Sequence, residues 1–165
     1  MLVCANDTEG YHKLIRLSTL AHVDHGWKGY GRLDYQVLQE EWDDSLTLFV
    51  PFYDSFIHRN HFSFATCVPS FGFTKPIILL EENDLPFDRL IRDKATEYSA
   101  QNGYPTMEAQ TIYYEKPEDF KAWQTFKCTK KIGGKTRSLN MPELEHCGSD
   151  TFNFEHWRQR ENDVT

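Results

Sequence analysis

Apolar residues return along this chain in two rhythms, and the change from one to the other marks out its elements. Tyr11, Leu14, Ile15, Leu17, Leu20 and Ala21 recur every three or four positions, while Lys13 and Arg16 fall between them. That spacing predicts a helix with a wide apolar stripe, capped by Asp7 or Thr8 and ending near His22. Phe87, Leu90, Ile91, Ala95 and Tyr98 repeat the rhythm, with Asp88, Arg92, Asp93, Lys94 and Glu97 on the remaining face. Pro86 suits the first turn of this second helix, and Asn102-Gly103 supplies a positive-φ stop at its end. A third helix opens at Lys116-Pro117-Glu118-Asp119, where two acids complement the helix dipole, and continues through Phe120, Trp123 and Phe126. Asp34 caps a shorter one through Val37, Leu38 and Trp42.

Between these segments lie apolar runs too brief for helices. Leu2 to Ala5, Leu46 to Phe52 with Pro51 as its stop, and Ile77 to Leu80 closed by Glu81-Glu82-Asn83-Asp84 are expected strands. A further strand starts at Tyr104-Pro105 and closes at Tyr113 and Tyr114. Helices alternating with such runs predict an α/β layer. Asp54 to Phe71 is poorly patterned and supports only a helical turn around Phe56-Ile57. His25 to Gly31 and the basic, glycine-rich Thr129 to Thr136 read as loops. The polar C-terminal stretch, with isolated Phe152, Phe154 and Trp157, is expected to form an extended arm and a short terminal helix.

Composition narrows the picture. A chain of 165 residues suffices for one domain, and an aromatic content of 15% makes large rings the main source of burial. The formal charge, 18 − 25 = −7, argues against a broad, sequence-blind grip on phosphate backbones. DNA is therefore expected to be engaged only indirectly, through another chain. Cys4, Cys67, Cys128 and Cys147 are far apart and read as buried free thiols rather than a zinc or redox motif. No basic-then-apolar leader is visible, and no apolar run approaches the ~18 to 20 residues of a membrane span, which points to a cytoplasmic protein.

Candidate chemistry is sparse. Gly134-Lys135-Thr136 ends like a phosphate loop, but Thr129 stands where the first glycine belongs and the segment follows a helix instead of a strand. His22 with His25, and His58 with His61, have helical spacing, with Asp24 or Cys67 near one pair or the other. A metal needs three or four convergent ligands, so His58 and His61 stand only as a weak metal alternative and no cofactor is expected. Glu81 and Glu82 point to opposite faces of a strand and make no acid/base pair.

Leu2-Val3-Cys4-Ala5-Asn6-Asp7-Thr8-Glu9-Gly10-Tyr11, followed by Leu14 and Leu17 to His22, resembles a strand ending in Ala-x-Asn-x-x-Gly-Tyr that leads into a helix closing with Ala-His. That combination is found in the PHP (polymerase and histidinol phosphatase) domain of the bacterial DNA polymerase III alpha subunit, a C-family replicative polymerase. Further pieces resemble the same domain in the same order. Gly31-Arg32-Leu33-Asp34 is similar to its Pro-Arg-Ile-Asp, and Leu46-Thr47-Leu48-Phe49 to its next strand. Ile77 to Leu80, the helix after Pro86, Gly103-Tyr104-Pro105 and Tyr114-x-x-Pro117-Glu118-Asp119-x-x-Ala122 are similar to its final units, and Gly134-Lys135-Thr136 to a short Gly-Lys-Thr-Leu turn. The resemblance covers residues 1 to 137.

What it implies is a partial, distorted (β/α) barrel of PHP type over residues 1–137 that lacks its first strands, followed by an arm over 138–165. The metal ligands of such domains are replaced. Asn83 stands for a His, Gln110-Thr111-Ile112-Tyr113-Tyr114 for Asn-Asp-x-His-Tyr, and Phe52 for a Cys. The opening His-x-His would lie before Met1. No catalytic residue and no bound metal are therefore expected, and the family's palm domain is not in this chain. The function expected is a non-catalytic PHP-like subunit or split fragment, viral or bacterial, scaffolding a polymerase whose remaining chain carries the palm. Leu2, Val3, Cys4 and Ala5 are the expected partner-binding edge. Two alternatives stand beside this: a metal-dependent phosphoesterase with a relocated site at His58, His61 and acids from Glu81 onward, and a decoy that binds host replication proteins.

Overall fold

The computed structural model describes residues 1–24, 28–53, 55–62, 68–129 and 148–163. Four strands, β1 (Leu2–Ala5), β2 (Leu46–Val50), β3 (Ile77–Leu80) and β4 (Thr106–Glu108), form one open mixed sheet in the order β1-β2-β3-β4. The helices are α1 (Thr8–Thr19, prolonged by a π turn over Leu20–Asp24), α2 (Tyr35–Glu40), α3 (Phe56–Phe62), α4 (Asp88–Asn102), α5 (Phe120–Thr129, entered through a 3-10 turn over Pro117–Asp119) and α6 (Phe154–Asp163). The fold is thus α/β. Among the described residues no helix is long and apolar enough to cross a membrane.

β1 runs antiparallel to β2, with Leu2 opposite Phe49 and Ala5 opposite Leu46, whereas β2 and β3 are parallel, with Phe49 opposite Ile77. The chain forms two compact units, residues 1–79 with 95–107, and residues 80–94 with 108–165. In the first, Leu46, Leu48, Val50 and Ile78 alternate with partly exposed neighbours and join Leu17, Phe52 and Phe71 in an apolar core. Each such side chain contributes about 1.5–3 kcal/mol on full burial. Gly10 lets α1 approach the start of β2, since a Cβ there would lie 2.1 Å from the Ser45 carbonyl oxygen. Asn6 ties the end of β1 to the same place, donating from its backbone to Ser45 (2.8 Å) and from its amide to the Asp44 carbonyl (2.9 Å). The Asn and Gly of the opening motif therefore have structural work in this chain.

Several expectations need correction. The stripe of α1 is narrower than its sequence suggests: Gly10, Leu17 and Ala21 are buried, but Tyr11 and Ile15 are exposed. Asp7 is the cap, accepting from Gly10 N–H at 2.8 Å. On α4 the buried line is Asp88, Ile91, Ala95 and Ser99, while Phe87 and Leu90 are exposed. Asp88 is drawn inward because its carboxylate accepts the backbone N–H groups of Asn83 (2.7 Å) and Leu85 (3.4 Å), and this rotates the helix off its apolar face. The strand expected to reach Tyr114 ends at Glu108, and α2 ends at Glu40, short of Trp42. Cys4 is exposed rather than buried, because it shares the outward-facing side of an edge strand with Leu2. The poorly patterned Phe56 region is a full helix. Gly103, at φ 66°, ends α4 as expected, with Tyr104 N–H returning to Ser99 at 3.0 Å.

A candidate site at the strand ends, filled by amides and alcohols

The loops that follow β3 and β4 bring together residues far apart in sequence. Just past β3, Glu81 is buried and Glu82 is exposed. Past β4, the chain turns away from the ladder because Thr111 gives both its N–H (2.7 Å) and its hydroxyl (2.8 Å) to the Glu81 carboxylate. Asn83, fully buried, donates its side-chain amide to the same carboxylate at 3.1 Å. Its carbonyl oxygen accepts from the Gln110 amide and, at 3.2 Å, from the Thr151 hydroxyl. Asp84, at φ 55°, makes the tight turn that aims Asn83 N–H at Asp88.

The C-terminal segment completes the cluster. Ser149, Thr151 and Asn153 are buried; Ser149 and Thr151 share a hydroxyl contact of 2.9 Å. Asn153 caps α6, accepting His156 N–H at 2.8 Å. Backbone bonds from Tyr113 to Phe152 and from Phe154 to Tyr114, each 3.0 Å, run the segment parallel to residues 113–115. Phe152 is wholly buried beside Tyr113, and Tyr113 stacks on Trp123 at 4.5 Å and 12°. At the surface Arg160 reaches the Gln110 carbonyl oxygen (3.1 Å) and the Glu82 backbone (3.4 Å), and Arg92 forms a two-pronged pair with Glu108. That pair favours the charged guanidinium of Arg92 and raises its pKa. A cavity of about 360 Å³ opens between these arginines and Trp157.

Chemically the cluster is a hydrogen-bonded lock. Asn83 is bonded to Gln110, and Thr111 to Glu81, through amide and hydroxyl donors, which cannot replace imidazole or carboxylate ligands. Phe52 is buried after β2 and packs edge-on against Tyr53 at 4.9 Å. Among the described residues no group of three or more His, Cys, Asp or Glu side chains is arranged to hold a metal ion. His58 lies on α3, where its backbone N–H meets Ser55; His61 belongs to the same helix, but its side chain lies outside the described residues. His22 donates from Nδ1 to the Ser18 carbonyl (2.8 Å), and its ring occupies the space that a side chain on Gly31 would need. His25, Cys67, Cys147 and Gly134-Lys135-Thr136 lie outside the described residues.

Sequence reasoning missed Ser149, Thr151, Asn153 and Arg160 as partners of this cluster. Thr151 and Asn83 are 68 positions apart, so no local pattern links them; only Asn153, an ordinary N-cap residue ahead of a helix, carried a readable signal. No protein-family model matches the chain, and no curated protein matches it.

Proposed function

We propose that this chain is a non-catalytic PHP-like subunit or split fragment of a replicative DNA polymerase, a cytoplasmic scaffold for a partner chain that carries the palm. The observation that carries the reading is the strand-end cluster. Asn83 and Thr111, which stand where the resembling domain has a His and an Asp, are bonded to Gln110, Thr151 and Glu81, and Tyr113, which stands for another His, is stacked on Trp123. A site so filled has no open coordination position from which to activate water. The proposed fold is an arc of a distorted PHP-type barrel. In its favour, sheet order follows chain order and β2 and β3 are parallel. The antiparallel β1 departs from a regular (β/α) barrel, whose strands are all parallel.

In the proposed assembly Leu2 to Ala5 are the docking edge. β1 ends the sheet order and carries no charge or proline to discourage pairing. The test is co-expression with a palm-bearing C-family polymerase chain from the same source. A complex that co-purifies, and that protects the amides of Leu2 to Ala5 from exchange, is expected. Recovery of host replication proteins in place of that chain would favour the decoy. Stoichiometric zinc or manganese in the purified protein would sink the non-catalytic reading.

A further inference from the structure

Trp42 and Phe73 make a corner of two aromatic rings beside the turn that leads into β2. Their centroids are 5.2 Å apart at 72°, and Tyr35 braces Phe73 at 5.2 Å and 74°. The two rings line a cavity of about 670 Å³ together with Asp43, Asp44, Thr74 and Lys75. Its size falls in the ~300–1,000 Å³ range of ligand sites. The turn beneath it is held in place: Leu46 N–H donates to the Asp43 carbonyl (3.1 Å), Ser45 N–H to the Asp43 carboxylate (3.0 Å), and the Asn6 amide to the Asp44 carbonyl (2.9 Å). Asn6 is itself fixed by the Thr47 hydroxyl at 2.8 Å.

The two carboxylates of the turn differ. That of Asp43 is engaged by Lys13 and Ser45. That of Asp44 is exposed and, among the described residues, makes no ion pair. An aromatic corner with an exposed carboxylate residue in the same lining suits a planar organic cation. Cations are attracted to ring faces within ~6 Å, and guanidinium, being flat and weakly hydrated, stacks on a ring and pairs with a carboxylate at once. An ammonium is a strongly hydrated point charge and gains less from the rings.

We propose that this cavity is a docking site for an arginine side chain carried by a peptide segment of a partner protein. The chain's formal charge of −7 favours encounter with such a basic segment. Lys75, in the lining, opposes the incoming cation and gives the site an internal sign test. The site serves an arginine-bearing partner whether or not the replication reading holds.

The experiment is amide-shift titration of the isotope-labelled full chain with acetyl-Ala-Arg-Ala-amide, its lysine and citrulline counterparts, and free arginine. Saturable shifts are expected at Asp44, Thr74 and the Trp42 indole, with arginine peptide tighter than lysine peptide and citrulline about tenfold weaker, because loss of charge removes the charge-assisted bond. Asp44→Asn should weaken the arginine peptide about tenfold. Lys75→Gln should tighten it about twofold, in line with an exposed like charge. Both side chains are exposed, so the variants are expected to fold. Equal binding of the citrulline peptide, no effect of Asp44→Asn, or no saturable shift up to ~10 mM would overturn the proposal. Free arginine binding as tightly as the peptide would also overturn it, in favour of a small-molecule guanidine.

Discussion

The two compact units are built on opposite principles. In residues 1–79 and 95–107 the centre is aliphatic and aromatic, with Leu46, Leu48, Val50 and Ile78 buried in strict alternation. In residues 80–94 and 108–165 the buried set includes Glu81, Asn83, Asp88, Ser149, Thr151 and Asn153 beside Leu80, Ile91 and Phe152. Apolar burial is nondirectional and degrades gradually as volume is lost. A buried polar network is stabilising only while every donor and acceptor is matched, so single changes that keep volume still do damage. The difference teaches which kind of substitution each unit tolerates. Buried amides and alcohols are tolerated in a core only where they bond to one another or to a buried charge.

Substitutions sharpen this contrast, and the largest effect belongs to the apolar unit. Leu48→Ala should cost about 2–5 kcal/mol by denaturant unfolding, with little dependence on pH, because it leaves only a cavity. Asn83→Asp tests the polar unit with almost no change in volume. It sets a second buried carboxylate against Glu81 and should cost about 3 kcal/mol at neutral pH. Its folded-state pKa is raised, so the deficit should shrink as pH falls below that value; a pH-independent deficit would show that the charge is not the cause. Trp123→Ala should cost about 2 kcal/mol, less than full burial of the ring implies, since Trp123 is only half-buried and its main contact is the stack on Tyr113.

Smaller effects probe the entry to the sheet. Gly10→Ala should cost about 1–2 kcal/mol, visible as a lower melting temperature, because α1 must back away from the Ser45 carbonyl. The smallest effect is electrostatic. Lys13 and Ser45 hold the carboxyl of Asp43 down at about 2, from an ordinary 3.8, so its contribution is present above pH 3.8 and is lost as pH falls through about 2. Lys13 is raised by the same contact, so that contribution also fades as pH climbs above the ordinary 10.5. Melting curves of Asp43→Asn should run parallel to those of the parent between these limits less the acid-side loss. An unchanged acid limb would show that the pair is without effect.

Much of the α/β framework was legible in the chain because its causes are local. Period-two and unbroken apolar runs placed β1, β2 and β3, Asp7 and Asp34 are caps by virtue of their own side chains, and Gly103 stops α4 because its backbone adopts a positive φ. Where the reading failed, the deciding partner was distant. The buried face of α4 is set by a polar residue, Asp88, reaching back to a turn; the end of β4 by the claim of Glu81 on Thr111; and the strand-end cluster by Thr151, 68 positions from Asn83. Sequence alone determined which segments can be helix or strand and where caps and stops fall. Only the tertiary structure decided that β1 pairs antiparallel to β2, that Tyr11 and Ile15 stay exposed, and that Asn83 is satisfied by Gln110 and Thr111 by Glu81. Pairing direction and polar satisfaction depend on where other segments arrive in space, and no residue's own propensity encodes that.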